Sequence, residues 1–448
     1  MSTSQTVVTI KVQEAVPEPE RASILARALP WITNSGLAIL DQGLISGSNF
    51  VVSILLARWM TPEQYGAYAV AFGLFILLSL IYLALVLEPM AVFGGSSYSR
   101  SLREYLDVLL RLHAAVTIGI VFLLGLGVIA VFLVRGPGPL VGALTGVTIA
   151  SPCLFLFWLA RRTYYLELSP VRAVRGAFLY CCLLLGGLYL LDARGLLTPF
   201  AAFLLIAVAS LLTSLLLFYH LRSALPSSGL RLKTSEIWRR HWTYGRWALA
   251  TSVASWIPAY IYYPILSTFG SMPQSGQLRA VMNFANPMEQ TQMALAMLFL
   301  PYAARVQGVG SSRNTNSWLC LKLTFISLGV TAAYWTVVST IRQPLFHFLY
   351  SGRYMDVTSL IPVVAIGSLF WSAAYGSAIV LRAMESPSLI FVAYLAAAVA
   401  SLLVGIPAAV KFGVVGGIWG INVSDAVSFG ALVFLLRNRI NMVSDPAS

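Results

Sequence analysis

Charge is scarce in this sequence: Asp, Glu, Lys and Arg together make up 10% of 448 residues. A soluble chain keeps about a quarter of its positions charged, so a water-facing globular surface is excluded. Histidine and cysteine are scarcer still, with four of each. Cys153, Cys181, Cys182 and Cys320 all fall in or beside apolar runs. That placement suits small packing residues and not a disulfide framework or a thiolate metal site. Catalytic signatures are missing as well. There is no GxxxxGKS/T loop to hold a nucleotide, no HExxH, no CxxC and no GxSxG. Nothing calls for a cofactor, and the chain is not read as an enzyme. No hydrophilic stretch is long enough for a separate soluble domain. The first 30 residues, with "KVQEAVPEPERAS", lack the apolar core and small-residue site of a cleavable leader.

What is present is apolar length. Hydrophobic residues make up 58% of the chain and mean hydropathy is +0.81. The apolar residues gather in runs such as "AAFLLIAVASLLTSLLLF", which wound as a helix match a hydrocarbon core of about 30 Å. The short alternating segments of a membrane barrel are absent. The expected fold is an all-α polytopic membrane protein of about twelve transmembrane helices, near 34–57, 66–90, 108–134, 139–160, 174–191, 198–219, 247–268, 277–303, 319–341, 357–381, 388–409 and 413–436. The longest connection separates spans six and seven and divides the chain into two six-span halves. The expected organisation is a tail over 1–32, a first bundle over 33–220, a linker over 221–246, a second bundle over 247–437 and a tail over 438–448.

Most of the 29 Lys and Arg fall at the termini and in the even-numbered gaps between spans. The preference of basic residues for the cytoplasmic side then places both termini and the central linker there. The net charge of +13 is thereby explained by anionic membrane lipids and needs no nucleic acid. A faint internal repeat accompanies this: "ARRTYYLELSPVRA" after span four and "LRAMESPSLIF" after span ten both carry Arg followed by a helix-opening Ser-Pro. Either parallel repeats or ordinary interfacial loops explain it.

Polar residues inside spans are costly and mark either a hydrated cavity or helix–helix contacts. Two stripes stand out. On span eight, Arg279, Asn283, Asn286 and Gln290 recur at i, i+4, i+7 and i+11, which places them on one helical face. On span one, Gln42, Ser46, Asn49 and Ser53 repeat that spacing, with Asp41 flanking the face. Arg279 keeps its charge at any accessible pH, and Pro287 should bend span eight. Asp41 beside the first-span stripe, Glu289 at the edge of the eighth-span stripe and Asp425 in the middle of span twelve, one turn after Asn422, are open to ion coupling or to pairing with a cation, and Asp425 also to a neutral hydrogen-bonded state. His113 reads as a packing residue. Trp256, Tyr260, Tyr262 and Tyr263 on span seven read as an interfacial aromatic belt or as rings for stacking on sugars. The cluster Arg161, Arg162, Tyr164, Tyr165, Arg172 and Arg175 suits topology determination, lipid headgroups or a lipid phosphate.

"NFVVSILLARWMTPEQYGAYAVAFGLF" (49–75) resembles the first two spans of Wzx-type polysaccharide-biosynthesis flippases, a branch of the superfamily that also holds MATE exporters and lipid II flippases. "GQLRAVMNFANPMEQ" with the following "LFLPYAARV", and "LYSGRYMDVTSLIPVVAIG", resemble that family's eighth span and the approach to its tenth. The resemblance covers nearly the whole chain. It implies two six-helix bundles around a central cavity open alternately to either side of a bacterial inner membrane, with spans one, two, seven and eight in its walls. It implies as cargo an undecaprenyl-pyrophosphate-linked oligosaccharide for exopolysaccharide, capsule or O-antigen synthesis. The polymerase and glycosyltransferases of the same pathway are the implied partners. A pyrophosphate would favour Arg279 and Arg246 in or near the cavity. The alternatives are a MATE-like exporter of small cationic compounds and a membrane polysaccharide polymerase or ligase.

Overall fold

The structure, a computed structural model, describes residues 24–167, 169–225, 229, 232–308 and 313–444. Most of the expected N-terminal tail and the last four residues lie outside that set. No strand occurs among the described residues. The first half comprises α1 (Ile24–Trp59), α2 (Pro62–Tyr82), a π-helical turn (Leu83–Leu87), α3 (Glu88–Gly95), α4 (Leu102–Arg135), α5 (Pro139–Leu166), α6 (Pro170–Ala193) and α7 (Pro199–Ala224). The second half begins with α8 (Thr234–Tyr260), α9 (Tyr262–Phe269), α10 (Met272–Met282) and α11 (Asn286–Gly308). It continues with α12 (Arg313–Thr340), α13 (Arg342–Tyr350), a 3-10 turn (Met355–Leu360), α14 (Ile361–Ala383), α15 (Pro387–Ala400), a second π-helical turn (Ser401–Gly405) and α16 (Ile406–Ser444).

The helix starts follow local chemistry. Proline sits in the first turn of α2, α5, α6, α7, α10, α14 and α15, where its missing N–H would have had no helical partner. At α2 a reciprocal cap joins Thr61 and Gln64, each side chain accepting from the other's backbone N–H. Helix α1 begins at Ile24, inside the stretch expected as tail, and α16 runs to Ser444, past the expected bundle end.

Nine described stretches are long and apolar enough to cross a bilayer, and three features account for the difference from twelve. The stretch Pro387–Asn441 is two passes. The chain reverses at Gly413, whose φ of 59° favours glycine. A Cβ on Gly420 would lie 2.7 Å from Gly405 Cα, whereas a straight helix would hold those residues about 22 Å apart. Spans seven and eight are each broken, the first between α8 and α9, the second across residues 283–285. Pro258 and Pro264 each remove one backbone donor around the first break. Pro287 does the same beside the second, so the expected bend in span eight takes the form of an interruption just ahead of it.

Helices α5, α6 and α7 pack together with α1, α2 and α4 in the first bundle, while α11, α12, α14, α15 and α16 form the second. Helix α4 leaves Ile118, Phe122, Leu133 and Val134 exposed, as expected of a lipid-facing helix. The bundles meet mainly where α2 packs on α10, and α8 bridges them by touching both α2 and α15.

Candidate binding site between the two bundles

The two polar stripes meet. Ser46 Oγ donates to Gln290 Oε1 at 3.1 Å, and Ser53 Oγ donates to Asn283 Oδ1 at 2.8 Å. The two contacts are seven residues apart on each chain segment and run in opposite directions, so α1 and the broken α10–α11 pair are antiparallel in register. Around Asn283 the network is closed. Its Nδ2 donates to Tyr65 Oη at 3.0 Å and to Tyr350 Oη at 3.3 Å, and Tyr350 donates to the Ala280 carbonyl. Asn283 is fully buried at the break between α10 and α11. Gln42 donates to Ser46 at 3.0 Å, and Gln42 and Asn49 remain exposed. Asn286, at the start of α11, is half-buried.

Arg279 is 6% exposed. Its guanidinium stands 4.3 Å from the Phe72 ring centroid, with the phenols of Tyr65, Tyr68, Tyr260 and Tyr263 around it. It makes no ion pair among the described residues, and its Nε has no hydrogen-bond partner. A desolvated cation–π contact is worth about 2 kcal/mol, whereas burying an ion costs several. The shell holds Arg279 by the Phe72 ring face and by the hydroxyls of Tyr65 and Tyr263, which accept hydrogen bonds from it, and Glu289 is the carboxylate whose field reaches it. Arg246 does not join it: that side chain is exposed on α8, with its guanidinium 5.9 Å from the Trp247 ring centroid.

The three candidate carboxylates separate. Asp41 is 2% exposed and is paired with Arg161 and Tyr165 of α5. It serves as a buried tie between α1 and α5. Glu289 and Asp425 line one cavity of about 180 Å³ with Asn422, Trp371, Tyr394 and Ser428. Glu289 is exposed by its own surface area and lines this cavity. Asn422 is held by donating to the Val363 carbonyl at 2.8 Å. Gly367 keeps α14 close to this face, for a Cβ there would lie 2.3 Å from Asn422 Oδ1.

Several sequence readings need correction. Trp256, Tyr262 and Tyr263 are buried, not an interfacial belt. Trp256 donates to the Gly73 carbonyl, and Tyr262 bonds Ser401. Trp256 and Tyr263 face Gly73 of α2, while Tyr262 packs against Gly405 and Gly420 within the second half. The basic cluster on α5 is partly internal, with Arg161 on Asp41 and Tyr164 donating to the Leu217 carbonyl. His113 is a packing residue, as expected, bonded to Tyr82 Oη at 3.0 Å. The sequence reading missed Gln292, which bonds Ser327, Thr331 and Ser372 and ties α11 to α12 and α14. It also missed Tyr65 and Tyr350, since no spacing rule predicts partners 218 and 67 residues from Asn283.

This arrangement, two helical bundles facing across a polar seam with broken helices at its centre, is that of a polytopic all-α membrane protein. The solved structures it resembles have that fold. It is similar to the inward-facing conformation of a multidrug resistance MATE family transporter of the MOP superfamily, with a TM-score of 0.74 and 13% identity over 91% of this chain and 96% of that one. The outward-facing conformation of such a transporter scores 0.66 at 12% identity over 93% and 97%. The lipid II flippase MurJ in an inward closed conformation scores 0.69 at 13% identity over 92% and 90%. No protein-family model matches the chain, and no curated protein matches it either.

Proposed function

We propose that this protein is a flippase that moves an undecaprenyl-pyrophosphate-linked oligosaccharide from the cytoplasmic to the periplasmic leaflet of a bacterial inner membrane. The product would feed exopolysaccharide, capsule or O-antigen synthesis, alongside the glycosyltransferases and polymerase of that pathway. The observation that carries the reading is Arg279, a buried cation that makes no ion pair among the described residues, set beside the seam where the bundles meet. A diphosphate matches a guanidinium in charge and geometry. Gln42, Ser46, Asn49, Asn286 and Gln290 would line the route with neutral hydrogen-bonding groups suited to sugar hydroxyls.

Export of a small cationic compound has one observation in its favour, the Glu289–Asp425 cavity. Its volume of about 180 Å³ falls below the range of about 300–1,000 Å³ for small-molecule sites. We assign it to a coupling proton or inorganic cation. Asp41, paired with Arg161, is assigned a structural part instead.

The test is a gene deletion complemented with Arg279→Ala. The variant should insert into the membrane normally, retain the lipid-linked repeat unit on the cytoplasmic leaflet and lower surface polysaccharide at least tenfold. Normal surface polysaccharide in the deletion itself, in a cell without a second transporter, overturns the proposal.

A further inference from the structure

A second cavity, of about 560 Å³, opens where the α9–α10 junction, the 3-10 turn and the tip of the α15–α16 hairpin converge. These connections lie at the end of the molecule opposite the linker between the two halves, since each is an odd number of passes from it. Gln274 and Gln277 line the cavity from α10, Asp356 from the 3-10 turn, and Lys411 and Phe412 from the hairpin, with Phe269 at its edge. On α10 the two glutamines lie about 60° apart, and Arg279 lies about 140° or more from either. The cavity is therefore on the far side of α10 from Arg279 and is no part of the seam.

Its lining has a distinct chemistry. Gln277 Nε2 donates to Asp356 Oδ2 at 2.5 Å, which fixes that carboxylate and leaves Oδ1 as an acceptor. Gln274 Oε1 is buried with no hydrogen-bond partner among the described residues. Gly413, at φ 59°, lets the hairpin tip approach, and a Cβ there would lie 3.3 Å from Gln274 Nε2. Lys411 supplies a donor, and the Phe269 and Phe412 rings are 62% and 60% exposed. Amides, one acid and one cation offer donors and acceptors in balance, beside flat apolar rings. One carboxylate already engaged by an amide is a poor cation site, and a phosphate would meet Asp356 as well as Lys411. A neutral polyol satisfies all of these groups at once, with its apolar ring face on an aromatic side chain.

We propose that this cleft is a carbohydrate-binding site that takes sugar residues of the cargo on the outer side. The identity of the sugar rests on the flippase reading and the outer side on the cytoplasmic placement of the linker; the chemistry of the cleft rests on neither. Because α10 separates the cleft from α2, a sugar bound there bears on the helix that closes the seam.

The test uses the full chain in nanodiscs of phosphatidylethanolamine and phosphatidylglycerol. The probe is the pyrophosphate-free oligosaccharide released by mild acid from the source cell's own surface polysaccharide, followed by saturation-transfer NMR and titration. Wild type and Phe122→Ala, a change on the exposed face of α4, should bind it alike. Gln277→Ala with Asp356→Ala, and separately Phe412→Ala, should weaken it at least tenfold. All three altered residues are exposed or half-buried, so folding should survive, and an unchanged melting midpoint checks this. Absence of binding in wild type, or full affinity in the cleft variants, overturns the proposal. If cells transport the lipid-linked unit but the cleft binds no sugar, the cleft proposal fails alone. If the cleft binds sugar but the lipid-linked unit is not transported, the flippase reading fails alone.

Discussion

Ser53 on α1 and Asn283 at the break in span eight form a 2.8 Å hydrogen bond between the two bundles, 230 residues apart in sequence. Asn283 also binds Tyr65 and Tyr350, so one amide joins four elements. Asn283→Ala leaves those hydroxyls buried with fewer partners, at a cost of about 1–3 kcal/mol. That cost falls on the state in which α2 packs on α10. The expected result is a shift toward separation of these helices, read as a longer distance between spin labels at their outer ends. An unchanged distance distribution would show that apolar packing alone holds the contact.

The stacking of Arg279 on Phe72 predicts a graded response. Phe72→Leu keeps an apolar side chain but removes the ring face, a loss of about 0.5–2 kcal/mol, and on the flippase proposal should reduce transport several-fold. Arg279→Lys keeps the charge but loses the planar fork and should fall between wild type and Arg279→Ala. Full transport in Arg279→Lys would mean that charge alone matters there.

Much of this was legible in sequence because membrane helices obey one-dimensional rules. Apolar length located the spans, and helical spacing put Arg279, Asn283 and Gln290 on one face before any partner was known. The match of that spacing to Ser46 and Ser53 anticipated the seam, where the pairs Ser46–Gln290 and Ser53–Asn283 form. Tertiary partners were not legible. Asp41 has the same local appearance as Glu289 and Asp425, and only the approach of α5 supplies Arg161. The Tyr262 and Tyr263 rings look interfacial by position, but the helix break that buries them depends on how α9 meets α16.

Asp41 and Arg161 predict an asymmetric stability result. Asp41→Leu strands a buried guanidinium and should destabilise by about 3–5 kcal/mol, whereas Asp41→Leu with Arg161→Leu should recover most of that loss. Thermal melting of the purified single and double variants measures it. Equal loss in both would indicate that the pair itself, and not the stranded charge, carries the stability.

His241 predicts a pH effect. It lies in the linker-side part of α8, ahead of the expected span, and is fully buried. The Leu85 carbonyl takes a hydrogen bond from Nδ1 at 3.0 Å, so Nε2 accepts from Tyr105 Oη at 2.7 Å. Burial pushes the imidazole below its usual 6.5, the bond to Leu85 opposes that, and nearby Arg240 adds to it. The native state thus resists a proton that the unfolded chain accepts. Stability is unaffected above the unfolded value and declines as pH falls below about 6.5. Melting at pH 7.5 and 5.5 should show a larger loss for wild type than for His241→Gln. An identical loss in both would remove His241 as a source of acid sensitivity.

Two glycines predict opposite conformational traps. Gly66 on α2 faces α10 so closely that a Cβ would lie 1.9 Å from the Met272 carbonyl oxygen, and a Cβ on Gly245 of α8 would lie 2.3 Å from the Ala84 carbonyl oxygen. Backbone atoms cannot yield as a side-chain tip does, so each alanine must separate its helix pair. Gly66→Ala opens the α2–α10 contact on the side opposite the linker. Gly245→Ala lifts α8 from the π-helical turn (Leu83–Leu87) on the linker side. In membrane vesicles, a cysteine introduced at Asn49 should gain labelling by an impermeant thiol reagent from the outer face in Gly66→Ala and not in Gly245→Ala. Background thiols are first removed by replacing Cys153, Cys181, Cys182 and Cys320. Equal labelling in the two variants would mean that these contacts do not gate opposite ends of the seam.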